Sequence, residues 1–270
     1  MVIAALQYSP RYLEVASNLD EVERHLDGVT ADLVVLPELF ATGYFFRSSD
    51  DARSVAEDAR TGPTALRLGR WASESGATFV AGLVEREGDR LYNSAVVVSP
   101  RGWEGTYRKV HLYYEEKNHF APGNLGFRTF DLATSAGASY RLGVMICFDW
   151  CFPEAARTLA LWGAEVIAHP SNLVRPDCPR AMPIRALENR VFTVTANRTG
   201  EESNGRETLR FIGQSRICDP RGQVLAEAGP ATTTVLTATV DPEAARDKTL
   251  NPLNDQFADR RPDVYFLRGV

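Results

Sequence analysis

The chain has 270 residues, 44% hydrophobic and 24% charged, a composition that suits a globular protein with a sizeable core. A net charge of −5 and a pI near 5.5 leave no electrostatic footprint for nucleic acid or an anionic membrane surface, so small molecules are the expected partners. No apolar run approaches the roughly 18 residues needed to cross a bilayer, and Met-Val-Ile-Ala-Ala-Leu-Gln at the start lacks a basic leader, so a cytoplasmic protein is expected.

Val2 to Gln7 reads as a strand bounded by Ser9-Pro10, and Leu19, Val22 and Leu26 recur at helical spacing. Asp32 to Pro37 is a second buried strand, stopping at Glu38. A helix opening at Thr61-Gly62-Pro63 and ending at Gly76 leads to strands Thr78 to Glu85 and Leu91 to Val98, joined at Glu87-Gly88-Asp89. Gly105 to Val110 is a short strand, followed by a charged, aromatic loop, Leu112 to Gly126. Further strands are expected at Phe127 to Leu132, Tyr140 to Ile146, Val166 to His169 and Val191 to Ala196, with helices at Pro153 to Gly163 and Met182 to Asn189. Phe211 to Cys218 should pair with Gln223 to Glu227 across Asp219-Pro220-Arg221-Gly222, and Thr232 to Val240 adds a last strand. Both halves read β-α-β-α-β-β, which predicts an α/β fold of four α-β-β-α layers; with no flexible linker between the halves, residues 1–270 form one expected domain. The tail aromatics Phe257, Tyr265 and Phe266 need a surface to bury against, and a partner subunit is one candidate.

Four cysteines without regular spacing make neither a disulfide framework nor a zinc set, and no metal or cofactor is expected. Cys147 stands apart. It ends the apolar run Leu142 to Ile146, and Pro153-Glu154 opens a helix soon after, so its thiol lies on a strand-to-helix turn at the carboxyl end of a sheet strand. Open α/β sheets place their chemistry there, whereas an unpaired cysteine elsewhere is usually a small core residue. Two other ionisable residues follow strand-like runs: Glu38 in Leu-Pro-Glu-Leu-Phe and Lys109 in Tyr-Arg-Lys-Val-His-Leu.

These three motifs, in this order, resemble the nitrilase or carbon-nitrogen hydrolase superfamily; Phe152-Pro153-Glu154, Asn93-Ser94-Ala95 and Arg185 to Arg190 extend the likeness over the chain. The resemblance implies a Glu38, Lys109 and Cys147 triad with no cofactor. Glu38 would be the base for a thiol that is mostly protonated at neutral pH, and Lys109 with the Phe148 N–H would form an oxyanion hole worth roughly 3 kcal/mol per donor. It implies a second carboxylate before Phe-x-Pro-Gly, matched by Glu116, which would orient substrate and water. The implied activity is hydrolysis of a small amide through a thioester, with nitrile or N-carbamoyl substrates as alternatives that the same thiol can attack. Pocket candidates are Tyr44, Phe120, Trp150, His169 and Asn172; Arg175 could hold a substrate carboxylate or be a surface charge. Cys151 reads as a packing thiol or an oxidation liability rather than a resolving cysteine. Family members commonly dimerise through the helices flanking the nucleophile turn, so a homodimer or higher homo-oligomer is implied.

Overall fold

The computed structural model describes residues 1–265. Its first half runs β1 (Val2–Gln7), α1 (Val15–Leu26), β2 (Leu33–Val35), α2 (Ser49–Ser54), α3 (Pro63–Ser75), β3 (Thr78–Glu87), β4 (Arg90–Ser99) and β5 (Gly102–Arg108). A one-turn helix α4 (Glu116–His119) and strand β6 (Thr129–Ala133) lead into the second half. There β7 (Ser139–Val144), α5 (Pro153–Leu161), β8 (Val166–Pro170), α6 (Asp177–Asn189) and β9 (Phe192–Ala196) repeat the order. A hairpin, β10 (Glu201–Ser203) and β11 (Thr208–Arg210), precedes β12 (Arg216–Cys218), β13 (Val224–Glu227) and β14 (Thr234–Thr239).

The strands form two six-stranded sheets, ordered β14-β1-β2-β3-β4-β5 and β13-β12-β9-β8-β7-β6. In each, three parallel strands at the centre carry antiparallel strands outside. The two-residue period of a strand explains the layering. On β1, Ile3 and Ala5 pack in a core shared with Leu142, Val144 and Val194 of the other sheet, while Ala4 and Leu6 pack in a second core with Leu19 and Val22 of α1 and Leu68 and Trp71 of α3. The second sheet is covered on its outer face by Ala156, Leu159 and Ala160 of α5 and Met182 of α6. The result is the expected α-β-β-α sandwich.

Three local readings change. The last strand, β14, leaves the second half and pairs antiparallel with β1, Val2 opposite Thr239, so each sheet gains one antiparallel edge strand beside its first parallel strand. Helix α6 starts at Asp177 rather than Met182, because Pro179 lies in the first turn, where no N–H is needed. Its interior Pro183 removes the donor that would satisfy the Pro179 carbonyl, and Arg216 Nη1 donates there instead at 2.5 Å. Finally, the strand expected from Phe211 shortens to Arg216–Cys218, with Phe211 packed against Tyr44 in a third apolar cluster. Of the tail aromatics, Phe257 packs on its own chain, with Arg157 and Lys248 over its ring, and Phe266 lies outside the described residues.

Candidate active site

Glu38, Lys109, Glu116 and Cys147 all follow strands or sit in the adjoining loop, and the fold brings them together. The β2 ladder ends before Pro37, and Glu38 is followed by Leu39 at φ +49°, a left-handed turn uncommon for a branched residue. That turn lies directly on β3. A Cβ at Gly82 would stand 2.5 Å from the Leu39 nitrogen and 2.6 Å from the Glu38 Cα, so only glycine permits the approach. Lys109 is the residue after β5; its N–H donates to the Asn93 carbonyl of β4 at 2.8 Å and fixes its direction. Gly123, in Ala-Pro-Gly, donates back to the Lys109 carbonyl at 2.9 Å, where a Cβ would meet the Arg108 carbonyl at 2.1 Å.

Side chains converge on one ammonium. Lys109 Nζ donates to Glu38 Oε1 and to Glu116 Oε1, both at 2.6 Å, and all three residues are buried. Glu38 Oε1 also accepts from Asn93 Nδ2 at 2.7 Å, and the Glu38 carbonyl from Asn172 Nδ2 at 2.8 Å. Glu38 Oε2 has no partner among the described residues, which leaves one carboxylate oxygen free to take a proton. Tyr44 Oη donates to Glu116 Oε1 at 2.6 Å. Burial pushes the Glu116 carboxyl up to about 7 against the pull of Lys109. Burial opposes the Lys109 charge, yet Glu116 and Glu38 hold its pKa above that of a free lysine.

Cys147 opens a short 3-10 helix, Cys147–Cys151, at φ +41°, strained for a residue with a side chain. Asp149 holds this turn. Fully buried, it accepts from the Ile146 N–H at 2.8 Å, Tyr107 Oη at 2.7 Å, and the His111 N–H and ring at 3.2 and 2.8 Å. His169 supports the turn from below: its Nε2 donates to the Cys147 carbonyl at 2.9 Å, and Nδ1 faces Thr195 Oγ1 at 3.0 Å. Burial pushes the His169 imidazole down to about 4, so the ring is neutral at physiological pH. Burial and then the Glu38 charge push the Cys147 thiol well above its usual range, so the resting group is S–H. The N–H of Phe148 belongs to the first turn of the 3-10 helix, whose donors lack intrahelical partners.

The thiol lines a cavity of about 460 Å³ walled by Tyr113, Phe148 and Trp150, with Asn172, Leu173 and Val174 opposite. Of the five residues expected to line it, Trp150 and Asn172 do. Tyr44, Phe120 and His169 lie outside the lining: Tyr44 and Phe120 pack in the third apolar cluster, and His169 braces the nucleophile turn. Arg175 also lines the cavity, but its guanidinium pairs with Asp177 at 2.9 Å, so the two charges on the wall offset each other. Exposed Cys151 stands on the same wall. Sequence reasoning assigned no role to Gly82, Asn93, Tyr107 or Asp149. For Asp149 a signal existed, since an acidic residue three after the residue preceding a helix commonly accepts that residue's N–H. No group of three or more potential metal ligands occurs among the described residues, and no helix among them is long and apolar enough to cross a membrane.

Comparison with known proteins identifies the family. A family model described as carbon-nitrogen hydrolase matches residues 2–248. A protein named nitrilase from Pyrococcus abyssi is 51% identical over 98% of both chains, and an N-carbamoylputrescine amidase from Arabidopsis thaliana is 31% identical over 98% of this chain and 94% of that one. Among solved structures, an amidase from Nesterenkonia sp. superposes with a TM-score of 0.74 at 28% identity, covering 92% of each chain. A mutant of the AN1 strain's amidase, bearing acrylamide added at its active site cysteine, matches with a TM-score of 0.75 at 26% identity over 92% of this chain and 96% of that one. The chain belongs to the carbon-nitrogen hydrolase family and is an enzyme of the nitrilase superfamily.

Proposed function

We propose that the protein is a cysteine-dependent amidase that converts a small primary amide with a neutral acyl chain into the carboxylic acid and ammonia. The observation that carries this reading is a thiol on the wall of an apolar cavity, within the field of a buried carboxylate with a free oxygen and a buried ammonium. Glu38 Oε2 takes the thiol proton as Sγ attacks the amide carbon. Lys109 and the Phe148 N–H then stabilise the developing oxyanion, as preorganised donors in a water-poor site do best. Glu38 returns the proton to the departing ammonia, leaving a thioester, and next activates the water that releases the acid; Glu116 orients substrate and water. The offset of Arg175 by Asp177 supports a neutral acyl chain over one ending in a carboxylate.

A second reading, a nitrilase, is favoured by the 51% identity to the Pyrococcus abyssi protein of that name. Nitrile attack gives a thioimidate that water carries to the same tetrahedral intermediate, so the same residues serve. Ammonia release from aliphatic and aromatic primary amides, carbamoyl amines and dinitriles separates the readings. Turnover of nitriles without amides overturns the amidase reading, and unchanged activity in Cys147→Ala overturns the mechanism. We also propose a homodimer through the outer helices, where Leu161, Trp162, Ile184 and Leu187 are exposed. Sedimentation of a monomer at micromolar concentration refutes it.

A further inference from the structure

The β10–β11 hairpin is polar and mostly exposed, with Glu202 and Asn204 as its buried residues. Glu202 is a carboxylate only 7% exposed, in a strand whose neighbours face solvent. Its Oε2 accepts from two successive backbone N–H groups, those of Tyr44 and Phe45, both at 2.8 Å. Its Oε1 pairs with Arg198, a guanidinium 1% exposed that lies 4.0 Å over the Phe211 ring; that ring in turn stands edge-on to Tyr44. The chain makes room for the carboxylate at Gly43, where φ is +81° and a Cβ would stand 2.7 Å from Glu202 Oε1. The same hairpin grips the approach to Glu116 from the other side. Asn204 Nδ2 donates to Glu115 Oε2 at 2.8 Å, and Tyr114 Oη to Glu207 Oε2 at 2.8 Å.

A buried charge is costly, and one delivered from an exposed hairpin to two N–H groups of another loop fixes that loop's position. What the loop carries is Tyr44, whose hydroxyl donates to Glu116 Oε1, the oxygen that also binds Lys109. We infer that Glu202 is a positioning residue for the reaction, setting the Tyr44 hydroxyl against Glu116 through the Tyr44–Phe45 backbone. This rests on the proposed role of Glu116. It predicts that Glu202 and Tyr44 act as one unit.

The test is a double-mutant cycle on the full chain. Glu202→Asp keeps the charge beside Arg198 but withdraws the carboxylate from the two N–H groups, and Glu202→Gln keeps the length but drops the charge. Each should lower kcat about tenfold to a hundredfold with a smaller change in KM, as a misplacement of about 1 Å does. Tyr44→Phe should do the same, and adding either Glu202 change to it should cost less than twofold more, since the contact is already lost. The alkylation rate of Cys147 by iodoacetamide from about pH 5 to 9 is read in parallel. Its pH limb should move in the same direction in all three variants, because the Tyr44 hydrogen bond lowers the Glu116 pKa and the Glu116 charge in turn raises that of the Cys147 thiol. That readout needs no turnover, so it still tests Glu202 if the wild-type enzyme hydrolyses none of the amides, a result that would sink the amidase reading alone. Additive losses in the cycle, or an alkylation limb unmoved in folded Glu202→Asp, would overturn the inference.

Discussion

Replacing Lys109 by methionine removes one charge and little volume, and its consequence for stability can be worked from the geometry. Two 2.6 Å bonds to one nitrogen hold Glu38 Oε1 and Glu116 Oε1 within roughly 5 Å of each other. Without the ammonium, two carboxylates at that separation repel by about 3 kcal/mol at an effective dielectric of about 20. Breaking a buried ion pair by deleting one partner costs about 3–5 kcal/mol in other proteins, so a loss of that size is expected, about 10 °C in Tm. The loss should depend on pH. Glu116 is raised to about 7 by burial even with Lys109 pulling it down, and the substitution removes that pull. A carboxyl raised on folding binds more protons in the native state than in the unfolded chain. Stability therefore falls as pH rises through the window above about 4.3 and returns as pH drops through the raised value. Urea unfolding at about pH 8 and pH 6 measures both quantities, and the deficit should be larger at pH 8. If Lys109 has the proposed oxyanion role, turnover should fall at least a hundredfold, the cost of one such donor. A deficit below about 1 kcal/mol that is the same at both pH values would refute the view that one ammonium compensates both carboxylates.

Gly82→Ala should cost roughly 1–3 kcal/mol and about a hundredfold in kcat, because the new methyl would meet the backbone that carries Glu38; thermal unfolding and kinetics check it, and wild-type turnover would contradict the close approach. Asp149→Asn leaves buried donors facing an NH₂ group and should cost about 2–4 kcal/mol while slowing Cys147 alkylation; an unchanged alkylation rate would show that the turn holds itself. Cys151 should form no disulfide with Cys147, since a 3-10 rise of about 2.0 Å per residue sets their Cα atoms about 8 Å apart, beyond bonding range; diamide treatment followed by mass spectrometry of the peptides tests this.

What was legible in the chain was whatever local pattern dictates. The parallel strands β2 and β8 are short runs buried on both faces, and the apolar runs of β2 and β7 stop at Pro37 and Cys147, so both the fold and the strand ends bearing Glu38 and Cys147 could be read. Long-range pairing was less legible. Nothing in Thr234–Thr239 says that it crosses to β1, since alternation specifies a face and not a neighbour. The hairpin Glu201–Arg210 is too polar to announce itself as strands, and the residue it buries from β10, Glu202, is of a type that is almost always exposed. His169 was expected in the pocket because it lies at a strand end, before Pro170-Ser171-Asn172. Its side chain points under the turn instead, and that direction depends on Thr195 of the neighbouring strand.

The charge balance of the site explains why it holds two carboxylates around one lysine. With Glu38 and Glu116 ionised, Lys109 charged and Cys147 protonated, the buried cluster carries one negative charge. In the proposed mechanism, passing the thiol proton to Glu38 Oε2 leaves that total unchanged and moves the charge to sulfur, which the Lys109 field favours. No additional charge has to be desolvated, which is the costly step in a site this buried. A cluster without Glu116 would be neutral at rest, with Lys109 and Glu38 satisfied by each other, and withdrawing the Glu38 charge by protonation would sacrifice the only ion pair. In that mechanism an ionised Glu116 keeps an anion on Lys109, so Glu38 would cycle between base and acid without leaving the ammonium unpaired. The hydrogen bond from Tyr44 then acquires a definite purpose, because it favours the ionised form of a carboxyl that burial alone would keep protonated at neutral pH.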